Sequence, residues 1–223
     1  LRQAGYYCGA IGKWGLAGQS SLPSNYFTNV TVTVPGYPLL HGFDEFFGFV
    51  DHQSGHVYYH DAAHPLFDNY TNVTTRYENI YSTDLFFARA KKFVEDRETA
   101  APDQPFFLYL APTAVHSALQ VPGGPFPAGS GTNGGLQWPL TPTPTTANTW
   151  IDPAYTNATT SSQYFNAVIT GTNWNATMKR YATMDRRLDD GVGDLLQLLR
   201  DLNIASNTLV IFSSDNGPAN EGD

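Results

Sequence analysis

The sequence has a single cysteine and few charged residues, and both shortages narrow the kinds of protein it can encode. With only Cys8 in 223 residues, no disulfide framework can form within the chain. Charged residues make up 14% of the chain, below the roughly 25% typical of globular domains. Their formal net charge of −8 argues against nucleic acid as a partner. No apolar run approaches the roughly 20 residues of a membrane-spanning helix, so the sequence predicts no membrane span.

The sequence also lacks an initiating methionine and a signal peptide. Its first five residues, ending at Gly5, are typical of the end of a helix, and it stops at Asp223 in what reads as a loop. We therefore expect the chain to be an internal piece of a larger protein.

Asparagine and threonine are abundant by contrast, and five asparagines stand in the N-x-S/T sequences that accept N-linked glycans. This pattern favours an exported protein. The five are Asn29, Asn69, Asn72, Asn157 and Asn175.

Apolar runs alternate with amphipathic stretches along the chain. Buried strands are predicted at Tyr6–Ile11, Phe106–Ala111 and Thr208–Phe212. Apolar residues at helical spacing predict helices from Ser82 to about Asp96 and over Met178–Leu202. Strands that alternate with helices indicate an α/β fold with a largely parallel sheet. In such folds, ligands bind at the carboxyl ends of the strands.

The segment from about residue 123 to 175 contains long runs of Gly, Pro, Thr and Asn. Such runs do not form core elements, and long loops in compact domains are usually functional or disordered. We expect a surface insertion near the mouth of the ligand site.

Four histidines recur every four residues at His52, His56, His60 and His64. On a helix they would share one face, a pattern that hints at a transition-metal site. The neighbouring glycine, β-forming residues and proline disfavour a helix here. Separate contacts of individual histidines with a ligand are therefore the better interpretation.

Polar residues follow each of the three predicted strands. Lys13 is placed to meet an anion, although an ordinary solvated lysine has the same pattern. His116 is either a ligand contact or a structural histidine. Asp215 and Asn216 offer the hard oxygen donors that Ca²⁺ or Mg²⁺ prefers, or they belong only to the turn with Gly217.

Four blocks of sequence, in order along the chain, resemble the type I sulfatases. These are the formylglycine-dependent, arylsulfatase-like enzymes of the alkaline-phosphatase-like superfamily. The matching blocks are AGYYCGAIGKWGL (residues 4–16), HGFDEFFGF (41–49), PFFLYLAPTAVHSALQVP (105–122) and YATMDRRLDDGVGDLLQLLRDLNIASNTLVIFSSDNGP (181–218).

The resemblance implies an α/β/α sandwich and hydrolysis of a sulfuric ester, either a sulfated small molecule or a sulfated glycan. It implies that Lys13 contacts the sulfate group, and that His116 contacts it and protonates the leaving oxygen. His56 matches a substrate-side position of some members. Asp215 and Asn216 match ligands of one active-site Ca²⁺.

Two departures from the family pattern stand out. The C/S-x-P-x-R motif that yields the formylglycine nucleophile is absent, and Cys8 lies in C-G-A-I-G, so it does not fill that role. We expect the nucleophile, its Arg and the first Asp pair of Ca²⁺ ligands to lie before Leu1, and a further Lys to lie after Asp223. We therefore expect this piece alone to be inactive. The second departure is Gly15, which stands where many members carry a histidine that helps regenerate formylglycine. Either another base takes this role, such as one of the histidines at 52–64, or the catalytic activity of the full protein is impaired.

Two alternatives remain open at this point. One is a phosphoric or phosphonic monoester hydrolase of the same superfamily, and the other is a catalytically inactive, sulfatase-like binding protein.

Overall fold

The computed structural model describes residues 1–17, 34–140, 147–164 and 167–217, without the side chains of residues 160–172. A five-stranded sheet forms its centre, in the order β4-β3-β2-β1-β5. The longer strands β1, β2 and β5 are mutually parallel, and the two-residue strands β3 and β4 extend the sheet in antiparallel fashion. The strands of this sheet are β1 (Tyr7–Lys13), β2 (Glu45–Phe49), β3 (Phe67–Asp68), β4 (Thr71–Asn72) and β5 (Phe106–Ala111).

Two long helices cover one face of this sheet, α1 (Ser82–Ala100) and α3 (Ala176–Asp201). Their apolar sides bury Phe86, Phe93 and Leu198 against side chains from β1 and β2. The short helix α2 (Pro153–Thr156) and a separate hairpin, β6 (Thr159–Tyr164) with β7 (Ala167–Asn173), precede α3. The α/β class with a mostly parallel sheet is thus confirmed. None of the described helices is long and apolar enough to cross a membrane.

The opposite face of the sheet is covered less completely by the described residues. Phe46 and Tyr37 are buried there beneath loops. Two side chains of β5 remain open on this face, Phe107 at 36% and Tyr109 at 43% exposure. Within the described residues, one helical layer of the expected sandwich is therefore present.

Two buried ion pairs tie α1 to α3 and to the segment after residue 123. Arg187 donates two hydrogen bonds to Asp84, at 2.7 and 2.6 Å. Lys91 donates to Asp194 at 2.9 Å, and the same carboxylate accepts hydrogen bonds from the backbone of Gly131 and Leu136. The residues from Gly131 to Leu136 are therefore anchored to the ion pair that joins the two helices.

The prediction of a buried strand at Thr208–Phe212 is wrong. The segment is extended but unpaired, and its apolar side chains are open to solvent, with Leu209 85% and Ile211 80% exposed. The apolar sequence favours an extended backbone, but burial requires a neighbouring strand. No described strand lies beside this one, and β5 forms the edge of the described sheet.

Smaller boundary differences change where functional side chains lie. The first strand continues two residues beyond the predicted Ile11, so Lys13 ends β1 rather than standing in a loop. Helix α1 runs to Ala100 rather than about Asp96. The prediction of the last helix is confirmed within two residues at each end.

Candidate active site

Lys13 lies at the carboxyl end of β1, in the middle of the sheet. Its aliphatic chain runs tightly over Gly55, where an added Cβ would come within 2.5–2.8 Å of three Lys13 carbons. Burial lowers the pKa of Lys13, while Asp215 and Asp51 act in the opposite direction. The amine makes no hydrogen bond or ion pair within the described residues, so its charge is available to an anion.

A short loop after β2 presents His56 next to this lysine. Asp51, itself buried, accepts hydrogen bonds from the backbone N–H of Ser54 at 2.8 Å and from its hydroxyl at 2.6 Å. These bonds shape the 3₁₀ turn Ser54–His56. The Nε2 atom of His56 is buried without a hydrogen-bond partner within the described residues.

His116 is held against His56 by a buried tyrosine. The Tyr58 hydroxyl donates to the carbonyl oxygen of Thr113 at 2.8 Å and lies 3.1 Å from that of His116. The Thr113 hydroxyl in turn lies 2.8 Å from that of Ser82, the first residue of α1. As a result, the imidazole rings of His56 and His116 stack with centroids 4.2 Å apart and planes inclined by 14°.

The surroundings of His56 keep its ring neutral. Burial, followed by the nearby charges of Lys13, His116 and His52, lowers its pKa to about 4, and Asp51 acts in the opposite direction. The ring of His52 meets that of His56 edge to face, at 4.3 Å. An anion bound beside Lys13 would offset the charge of its amine and would favour the protonated form of His56, so the cluster is suited to bind one.

Asp215 and Asn216 form an exposed turn after the open segment. The amide nitrogen of Asn216 donates to the two oxygens of the Asp215 carboxylate, at 2.5 and 3.0 Å. This pair fits a hard cation but supplies only part of the 6–8 oxygens that Ca²⁺ takes. The described residues contain no group of three His, Cys, Asp or Glu side chains placed to hold a metal; Pro218 lies outside them.

The structure thus brings together Lys13, His56 and His116. Asp215 is close enough for its charge to raise the pKa of Lys13. The other two histidines of the four-residue repeat lie elsewhere. His60 is buried against Phe49, and Nδ1 of His64 lies 2.8 Å from a carboxylate oxygen of Asp61. No helix carries the four, as the glycine and proline indicated.

Sequence reasoning missed three supporting residues, Asp51, Gly55 and Tyr58. The spacing of Asp51 and Ser54 is a local turn signal that was available in the sequence. The close approach of Gly55 to Lys13 and the reach of Tyr58 to Thr113 join distant parts of the chain, so no local pattern reveals them.

Cys8 lies on β1 but is not placed as a nucleophile. It is a buried, free cysteine, and burial followed by the nearby Asp44 raises the pKa of its thiol. The thiol is therefore protonated, and it lies five residues before Lys13 along the strand.

The sequence profile of the family described as Sulfatase matches residues 1–223, the whole chain. The chain belongs to the sulfatase family. Among curated relatives of this sulfatase chain, Arylsulfatase J of Mus musculus is 26% identical over 225 residues, which cover 97% of this chain and 28% of the relative. N-acetylgalactosamine-6-sulfatase of Homo sapiens is 26% identical over 233 residues, covering 98% and 32%. The uncharacterized sulfatase YdeN of Escherichia coli is 28% identical, also covering 98% and 32%. The chain thus spans about a third of the length of the curated relatives it matches.

Solved structures agree on the fold. The crystal structure of Ps i-CgsB superposes with a TM-score of 0.54 at 24% identity, over 91% of this chain and 36% of that one. A second structure, of Ps i-CgsB in complex with k-i-k-neocarrahexaose, gives a TM-score of 0.53 at 23% identity. This likeness supports the mixed α/β fold with a mostly parallel sheet.

The backbone after β1 accounts for one departure from the family pattern. Gly15 has φ +68°, in the left-handed region that favours glycine. A residue with a side chain would be strained at this position. The backbone of this turn therefore favours the glycine that the sulfatase chain carries here.

Proposed function

We propose that the protein hydrolyses sulfuric esters, and that this chain supplies the side of the site that holds the sulfate group. The observation that carries the proposal is the meeting of Lys13, His56 and His116 at the carboxyl edge of the parallel strands. A sulfate monoester offers several oxygens to such donors, and the family membership supports sulfur over other centres.

We assign three roles within this cluster. The Lys13 amine contacts a sulfate oxygen, because its charge is unpaired within the described residues and the Gly55 contact directs its chain. His116 contacts the same group and gives a proton to the leaving oxygen, as general acids do. His56 stays neutral beside them and can accept a proton. It is therefore our candidate for the base that regenerates formylglycine, in place of a histidine at position 15.

Asp215 and Asn216 are proposed as two of the ligands of one Ca²⁺. The family membership and the hard oxygen donors of this adjacent pair support the assignment. The metal would draw charge from a sulfate oxygen, and a formylglycine would supply the nucleophile. The 223 residues contain no C/S-x-P-x-R motif, so neither Cys8 nor another residue of this chain is proposed as that nucleophile.

The substrate is proposed to be a sulfated small molecule or glycan. A glycan is supported by the neocarrahexaose bound to a protein of this fold. We also propose that the segment 123–175 contributes to substrate choice. Asn148 in that segment accepts a hydrogen bond from the backbone of Val121 at 2.9 Å, five residues beyond His116. An exported location is proposed from the five glycan-acceptor sequences.

The proposal is tested by steady-state hydrolysis of an aryl sulfate and the matching aryl phosphate by the full-length protein. We expect the sulfate to be preferred, and Lys13→Met or His116→Gln to lower kcat/KM by roughly 10²–10³. Lys92→Met is the matched control, because Lys92 pairs with Asp96 on the far part of α1. Faster turnover of the phosphate, or unchanged rates in both site variants, would refute a sulfatase site here.

The metal assignment has its own test. Asp215→Ala should weaken Ca²⁺ binding, followed by calorimetry, and lower activity in parallel. Activity that survives this substitution unchanged would show that Asp215 does not hold the metal.

A further inference from the structure

Two of the glycan-acceptor sequences lie opposite each other at the base of the β6–β7 hairpin. They are the Asn-Ala-Thr triplets beginning at Asn157 and Asn175. In the hairpin Thr159 pairs with Asn173, and the Trp174 N–H donates to the carbonyl oxygen of Ala158 at 2.9 Å. The two triplets therefore flank the same end of one ladder.

The two asparagines have different structural duties. The Asn175 side chain caps α3, because its oxygen accepts the N–H of Met178 at 2.8 Å. Asn157 follows the last residue of α2 and is exposed, and its side chain makes no hydrogen bond within the described residues. A substituent on the Asn157 amide thus displaces nothing.

The other two described acceptor sequences are less open. The Asn69 side chain accepts from the N–H of Phe46 at 2.9 Å and is partly buried at the sheet edge. The Asn72 side chain is exposed, but its oxygen accepts from both the backbone and the hydroxyl of Thr74, which is buried. Among these four, Asn157 alone combines an exposed position with an unengaged side chain. Asn29 lies outside the described residues.

An aromatic pair stands beside Asn157. The rings of Tyr155 and Trp174 stack with centroids 5.8 Å apart and planes inclined by 11°. Tyr155 precedes Asn157 by two residues and keeps part of its surface exposed. The negative face of an aromatic ring attracts the partly positive C–H groups of a sugar, which makes such a ring a suitable support for the first sugar of a glycan.

We propose that Asn157 is an acceptor of an N-linked glycan whose first sugar packs against Tyr155. In the transfer, Nδ2 of Asn157 forms a bond to C1 of the first N-acetylhexosamine of a lipid-diphosphate-linked oligosaccharide. The bond between C1 and the diphosphate oxygen breaks, the lipid diphosphate leaves with the electron pair, and one amide proton is released. The proposal rests on the exported location and is independent of the chemistry at Lys13.

Occupancy is measured on the full-length protein secreted by a eukaryotic host. Glycans are released enzymatically in ¹⁸O-water, which marks each occupied asparagine as labelled aspartate. Chymotrypsin is the suitable protease, because cleavage after aromatic residues separates Asn157 from Asn175, whereas no Lys or Arg lies between them. We expect the label at Asn157 in most molecules, and its loss in Asn157→Gln and Thr159→Ala. Secreted protein with an unlabelled Asn157 would overturn the proposal, whatever its sulfatase activity.

The packing on Tyr155 is tested by thermal midpoints. We expect Asn157→Gln to lower the midpoint in the natural chain and in Tyr155→Phe, but to have little effect in Tyr155→Ala. The same substitutions in protein from a non-glycosylating host are the control, and there Asn157→Gln should leave the midpoint unchanged. An equal decrease in glycosylated Tyr155→Ala would show that the sugar does not rest on this ring.

Discussion

His60 should make the stability of the fold depend on pH. Its side chain is 2% exposed and packs against Phe49. Burial holds its pKa at about 4 in the folded protein, opposed only in part by the backbone of Thr74 and by Asp61. In an unfolded chain the pKa of histidine is about 6.5, so between these values the unfolded chain binds a proton that the folded chain does not.

The sign and size follow from this difference. The contribution of His60 to the free energy of unfolding is constant above about pH 6.5. It decreases as the pH falls and stops changing below about pH 4. Each pKa unit is worth about 1.36 kcal/mol. We therefore expect His60 to remove about 2 kcal/mol from the free energy of unfolding by pH 5 and about 3 kcal/mol by pH 4.

The assay is urea unfolding, followed by tryptophan fluorescence, at pH 7, 6 and 5. His60→Leu removes the titrating ring, so the variant should lose about 2 kcal/mol less than the natural chain between pH 7 and 5. This comparison within each protein is unaffected by any constant loss of packing in the variant. His41→Gln is the control, since His41 is exposed. Equal pH dependence in the natural chain and in His60→Leu would refute the reasoning.

Two further substitutions test the packing described above. Gly55→Ala should push the Lys13 side chain aside and lower kcat/KM, measured by steady-state kinetics, by up to about 10²-fold. Gly193→Ala is the control, because Gly193 has open space around it. Equal kcat/KM values in the two variants would contradict the contact between Gly55 and Lys13. Asp194→Ala should lower the free energy of unfolding by about 3–5 kcal/mol, because it leaves the buried Lys91 charge uncompensated. A loss below about 1 kcal/mol in urea unfolding would show that the pair is not buried as described.

Much of the frame could be predicted because apolar runs and helical spacing are local properties. The strand at Phe106–Ala111 and the helix ending near Leu202 were found in this way, and His116 was placed beyond a strand end. The same logic failed at Thr208–Phe212. There the sequence indicates an extended, apolar segment, but whether such a segment is buried depends on which strand lies beside it.

The titratable residues of the candidate site could be predicted from the sequence, but the residues that position them could not. Lys13 stood out because it follows a strand, and His56 because of the family resemblance. The fit of the Lys13 chain over Gly55 depends on how two distant segments approach each other. Tyr58 reads from the sequence as an ordinary β-forming aromatic residue, and only its tertiary contacts distinguish it.

The Tyr58 hydroxyl has a consequence for interpreting pH profiles of this protein. Burial raises the pKa of Tyr58 far above neutrality, so its hydroxyl keeps its proton throughout the working range. The bond that fixes the loop of Thr113 and His116 beside that of His56 is therefore the same in acid and in mild base. The Tyr58 hydrogen bond thus persists while the charge of His56 changes with pH. A pH profile measured on this protein would then report ionising groups of the site, such as His56, and not the loss of the Tyr58 bond.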